Sequence, residues 1–157
     1  MDKITPCLWF NFNAEEALNH YIGIFRNSKI LEISRYGDAR PELKGKVLTM
    51  RFVLDGREFQ ALNAGPQFPF TEAISLSVGC ADQAEVDRLW ARLTEGGVES
   101  QCGWLKDKFG LSWQIVPRRL VELLGGADKA GAGRAMQAMM GMKKIDIEAL
   151  EKAYQGI

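Results

Sequence analysis

The sequence predicts an α+β chain of two βαβββ modules forming a curved mixed sheet, with helices at the C-terminal end. Three observations predict this. A strand, a helix and then further short strands occur in that order twice. A Gly- and Pro-containing join, Gly65-Pro66-Gln67-Phe68-Pro69-Phe70, separates the two runs. After Pro117 the pattern turns wholly helical. The expected organisation is a single domain over 1–157, with a first module over 1–64, a second over 72–117 and a helical extension over 118–157.

In the first module, Ile4 to Phe12 alternates apolar and polar residues and reads as a strand, with Pro6 near its start. Asn13 is placed to cap the helix that follows. Ala14, Ala17, Leu18, Tyr21 and Phe25 then recur on one helical face. Lys29 to Tyr36 and Val47 to Leu54 read as strands joined by a polar loop from Gly37 to Gly45. Asp55-Gly56 is a strong hairpin signal leading into Glu58 to Asn63.

The order then restarts. Ala73 to Cys80 alternates as a strand, and Asp82 with Glu85 forms a capping box. The helix from Gln83 to Thr94 carries Val86, Leu89, Trp90 and Leu93 at core spacing and stops at Gly96-Gly97. Short strands are expected near Val98 to Gln101, Gly103 to Lys106 and Leu111 to Val116. Helices follow over Arg119 to Leu124, Lys129 to Met142 and about Ile145 to Tyr154. The halves repeat in element order, not in residue identity.

Composition narrows the function. Hydrophobic residues at 46% and charged residues at 25% are ordinary globular values, which argues against disorder. Twenty basic and twenty acidic residues give a net charge of zero, so no electrostatic case exists for nucleic acid or an anionic membrane as partner. No apolar run approaches the length of a membrane span. Cys7, Cys80 and Cys102 are odd in number and widely spaced, which suggests a reducing cytoplasm.

The stretch Cys102-Gly103-Trp104-Leu105-Lys106-Asp107-Lys108-Phe109-Gly110-Leu111-Ser112-Trp113-Gln114-Ile115-Val116-Pro117 carries the resemblance. Glu72-Ala73-Ile74-Ser75-Leu76 and Gln83 to Trp90 precede it, and Met142-Lys143-Lys144-Ile145-Asp146-Ile147 and Leu150 follow in the tail. Together these resemble the PhnB-like branch of the vicinal-oxygen-chelate superfamily. That superfamily includes glyoxalase I, extradiol dioxygenases, and the bleomycin and fosfomycin resistance proteins. The resemblance covers nearly the whole chain and implies the glyoxalase/bleomycin resistance fold and a homodimer. Members often carry the label 3-demethylubiquinone-9 3-methyltransferase. No Gly-rich strand-to-helix turn supports it, since Gly125-Gly126 lies between helices.

Enzymes of the superfamily hold a divalent ion with His and Glu side chains from the first and last strands of each module. The resemblance carries those positions onto Pro6, Phe59 or Gln60, Ala73 and Gln114, with Glu58 or Glu72 one residue away. Pro, Ala and Phe have no donor, and a neutral amide is a weak substitute for a carboxylate. The single histidine, His20, falls on the first helix and is expected to be a half-exposed structural residue. No bound metal and no cofactor are therefore expected.

Trp9, Asn11, Gln60, Asn63, Trp104, Trp113 and Gln114 are the candidate pocket residues, an aromatic set with polar anchors suited to an apolar or amphipathic small molecule. The aromatic residues could equally fill the core or a dimer seam. Cys7 and Cys80 read as packing, and Cys102, with no histidine nearby, as a small apolar residue. The methionines from Met136 to Met142 read as helix packing or dimer contact. The expected function is metal-free binding of a small molecule by a homodimer. The alternatives are a glyoxalase-like lyase, isomerase or dioxygenase with a weakly held divalent metal, or a structural dimer whose cavity is filled by its own side chains.

Overall fold

The computed structural model describes residues 2–157, which form two compact units, one reaching to Phe70 and the other running from Thr71 to Ile157. Each contains one βαβββ module, and the second also holds the C-terminal helices. The predicted α+β class and the repeated module order are both present.

The first unit contains β1 (Cys7–Phe10), α1 (Ala14–Ile24), β2 (Lys29–Arg35), β3 (Val47–Leu54) and β4 (Arg57–Asn63). The strand order is β1-β4-β3-β2, with β1 parallel to β4 and the other pairs antiparallel. The first strand is shorter than its alternation predicted. Pro6 has no N–H for the ladder, although its carbonyl still accepts from Gln60 N at 2.8 Å. At the other end Phe12, at φ 60°, turns the chain into α1. Asp55 and Gly56 both have positive φ, as a two-residue type I′ hairpin needs, and Gly56 takes its 81° without a Cβ penalty.

α1 covers one face of this sheet, packing on β3 and β4. Ala14, Ala17, Leu18 and Tyr21 are buried as expected, but the helix ends at Ile24. Ile24 takes the core place expected for Phe25, which is already extended at φ −101°, ψ 139°. The cap also differs from expectation. Asn13 makes no side-chain cap bond; Asn63 Oδ1, at the end of β4, accepts from Ala14 N at 3.1 Å. Asn63 Nδ2 donates to Val47 O at 3.2 Å, so one buried amide ties α1, β3 and β4 together.

The second unit contains β5 (Ser75–Cys80), α2 (Gln83–Thr94), β6 (Val98–Glu99), β7 (Trp104–Lys106) and β8 (Ser112–Pro117), in the order β5-β8-β7-β6. The expected capping pair forms with its return bond one residue early: Glu85 N donates to Asp82 Oδ1 at 2.9 Å, while Glu85 Oε2 accepts from Ala81 N, just before the cap, at 2.8 Å. α2 buries Val86, Leu89, Trp90 and Leu93 against the sheet, and Trp90 Nε1 reaches Glu99 Oε1 on β6 at 2.8 Å. β6 is only two residues long, because Ser100 N bonds back to Trp104 O and closes a turn where a longer strand was expected. A Cβ at Gly97 would run into the Lys106 carbonyl, so only glycine lets the chain leave α2 this close to β7.

α3 (Arg118–Leu124), α4 (Lys129–Met140) and α5 (Ile147–Gln155) gather around Leu120, Leu123, Ala135, Ile145 and Leu150. Met139 and Met142 pack against this cluster, while Met136 and Met140 stay exposed. The tail is stitched to the module. Cys102 N and Gly103 N donate to Met142 O and Lys143 O, both at 2.8 Å. The Gln83 amide donates to Ile145 O and accepts from Ile147 N.

Two measurements test these supports. Asn63→Ala strands the Ala14 N–H and the Val47 carbonyl and should cost about 2 kcal/mol in urea unfolding; Asn13→Ala should change stability by less than about 0.5 kcal/mol. Burial, reinforced by the Glu85 charge, pushes the Cys80 thiol from 9.0 to about 11. Folding therefore favours its neutral form, a contribution that is full below pH 9.0 and lost as pH rises through about 11. Between those values the stability of Cys80→Ala should fall less steeply than that of the parent.

Candidate functional site

Because strand side chains alternate, each sheet has a face under its helix and a face turned from it. On the first sheet the far face holds Trp9, Gln60, Leu62, Thr49 and Arg51, matched across the strands by the pairs Trp9↔Leu62, Thr49↔Leu62 and Arg51↔Gln60. Trp9 is half-buried; its Nε1 donates to Gly65 O at 2.9 Å, and its ring meets Phe68 edge-on at 5.0 Å. The indole N–H is thus committed to the chain, which leaves the ring as apolar contact surface. Gln60 is exposed, and Asn11 is exposed just beyond the end of β1.

On the second sheet the far face holds Trp104 and Gln114, paired directly between β7 and β8, with Ser75, Ser77, Lys106 and Ser112 beside them. Gln114 Nε2 donates to Ser75 Oγ at 2.9 Å. Two of the seven predicted residues lie elsewhere. Asn63 is 4% exposed, with its amide engaged at the start of α1. Trp113 is 2% exposed in the row Leu76–Trp113–Leu105, on the α2 side. Its Nε1 donates to Asp107 Oδ2 at 2.9 Å, and Asp107 Oδ1 also receives the N–H groups of Phe109 and Leu111. Trp113 and Gln114 are strand neighbours and cannot share a face.

Sequence reasoning gave no site role to Arg51 or Ser112 and took Lys106, with Asp107, as part of a turn, whereas Lys106 ends β7. Arg51 Nε donates to Glu58 Oε1 at 3.0 Å and its Nη1 to Glu32 Oε2 at 3.0 Å, and these bonds raise its pKa. Lys106 pairs with Glu72, and that hydrogen bond holds the Glu72 carboxyl below its ordinary value. Strand register sets Glu32 opposite Arg51, and the turn before β5 brings Glu72 to Lys106.

The metal positions implied by the resemblance do not fit an ion. Among the described residues no three His, Cys, Asp or Glu side chains converge as a ligand set. Glu58 and Glu72, the nearest carboxylates, are each bonded to a cation, and Gln114 is neutral. His20 sits half-buried on α1. Cys7, expected to pack, is exposed at the start of β1; partial burial of its thiol still raises its pKa, opposite to what a nucleophilic thiol needs.

A groove of about 690 Å³ lies in the second unit beside the starts of α2 and α5, lined by Asp82, Gln83, Asp87, Arg119 and Lys144 among others. Its polar groups engage one another, as in Lys144–Asp87 at 2.8 Å, and it contains none of the predicted site residues. Among the described residues no helix is long and apolar enough to cross a membrane.

A family profile described as 3-demethylubiquinone-9 3-methyltransferase matches residues 2–116. The match stops before the C-terminal helices, a narrower reach than the tail resemblance suggested. A solved PhnB protein from Bacillus cereus is 37% identical with a TM-score of 0.68, over 74% of this chain and 99% of that one. A protein from Pseudomonas aeruginosa is 26% identical with a TM-score of 0.61, over 74% and 98%. No curated protein matches significantly. With the profile spanning well over half its length and the Bacillus protein aligned almost end to end, the chain belongs to the PhnB-like family that bears the 3-demethylubiquinone-9 3-methyltransferase description.

Proposed function

We propose that this protein binds an apolar or amphipathic small molecule without a metal, acting as a cytoplasmic homodimer. The observation that carries this reading is the chemistry of the sheet faces turned from α1 and α2. Each presents a tryptophan with a neutral amide, Trp9 with Gln60 and Trp104 with Gln114, and the carboxylates nearby are neutralised by Arg51 and Lys106. Aromatic surface with a few polar anchors suits an organic ligand; a cation needs several converging negative or imidazole donors.

The methyltransferase activity in the family description finds no support in the strand-to-helix links. The link from β1 to α1 is Asn11-Phe12-Asn13, and that from β5 to α2 is Ala81-Asp82. Neither contains glycine, so neither offers the close backbone approach by which such turns hold a nucleotide-like cofactor. The exposed Met136 and Met140 on α4 support a contact between copies, since methionine adapts to a partner surface. Three unpaired cysteines support a reducing compartment.

Thermal melts of untagged protein against small-molecule panels, with and without divalent ions, test the reading. A ligand at a hundred times its Kd should raise the melting temperature by about 5 °C or more, irrespective of added Zn, Ni, Mn or Fe. Light scattering should give twice the chain mass. Stoichiometric metal in the purified protein would overturn the metal-free assignment.

A further inference from the structure

The face of the second sheet turned from α2 holds two rows of side chains. Lys106, Ser112 and Ser75 stand side by side in one row, and Trp104, Gln114 and Ser77 in the next. Ser112 is 1% exposed, and its Oγ is buried without a hydrogen-bond partner among the described residues. Buried hydroxyls are almost always bonded, so an orphan marks a place where a bound group can complete the bonding. Beside it, the Lys106 ammonium is held by Glu72, which lies just before β5 with a side chain 64% exposed.

We infer that this face takes a small organic acid and that the Glu72 carboxylate stands in for the acid group while the face is empty. The inference rests on the small-molecule reading above and narrows it to one ligand class. The acid end lies on Lys106 and Ser112, and the apolar end lies along the Trp104 ring. A carboxylate offers only acceptors, which match an ammonium and a hydroxyl donor. A cationic group would be repelled by Lys106, and a neutral one would leave Lys106 with Glu72. An exposed ion pair is weak and screened by salt, so Glu72 is an open competitor, and the Ser112 hydroxyl and the Trp104 ring supply what the ligand has and Glu72 lacks. The ligand reaches the buried Ser112 hydroxyl only as the side chains packed over it move apart. No covalent bond is made or broken.

The test titrates hexanoate, phenylacetate and 4-phenylbutyrate, each alongside its primary amide, into the ¹⁵N-labelled full chain. The backbone N–H signals of Trp104, Ser112 and Gln114 should shift with the acids, and the amides should bind at least about tenfold more weakly. Lys106→Gln and Ser112→Ala should weaken the acids, and Glu72→Gln should strengthen them by removing the competitor. Glu72 is exposed, so that variant keeps the test alive if a change at buried Ser112 prevents folding. Amides that bind as tightly as acids, or a Glu72→Gln variant that binds acids no better, would overturn the organic-acid assignment and leave the wider binding reading standing. If none of these probes shifts the signals, the organic-acid assignment falls, and the wider binding reading is decided by the thermal melts above.

Discussion

Each four-stranded sheet has one helix in its own module to cover it, and one helix covers one face. The rest of the structure follows from that constraint. The covered faces become dry cores: Leu8, Phe10, Met50, Phe52, Phe59 and Ala61 under α1, and Leu105, Trp113 and Ile115 under α2. The residues between them on the same strands are directed the other way by the pleat. They form the mixed aromatic and polar faces to which the functional reading is assigned.

The polar groups on the covered side serve the architecture. Asn63 satisfies the first N–H of α1 and a β3 carbonyl, and Asp107 accepts two loop N–H groups and the Trp113 indole. An unpaired buried donor or acceptor is costly, so such side chains are bound to their places. On the far faces, Gln60, Gln114, Ser75 and Ser112 carry neutral amides and hydroxyls, and the charges of Arg51 and Lys106 are paired. Neutral anchors beside aromatic surface are what the proposed binding of a small molecule rests on.

The C-terminal helices are integral to the second unit although the family profile ends at residue 116. Their shared cluster includes Val116 from the end of β8 among its partly buried neighbours, and the segment from Met142 to Ile147 exchanges hydrogen bonds with Cys102, Gly103 and Gln83. A tail held through main-chain bonds in this way is part of the folded unit, not an appendage.

The sequence by itself determined the two βαβββ modules, the core face of α2 and all but the last core residue of α1, the Asp55-Gly56 hairpin and the Asp82 cap. All of these are local patterns that depend on residues a few positions apart. It also determined the shortage of imidazole, since a single histidine cannot furnish a ligand set. Tertiary structure decided which candidates share a face. Trp113 and Asn63 turned inward, Asn63 took the capping role expected of Asn13, β1 shortened to the stretch that β4 can pair, and Lys106, Ser112 and Ser75 were set in one row. These outcomes depend on strand register between residues tens of positions apart, and no local pattern encodes which residue lies opposite which.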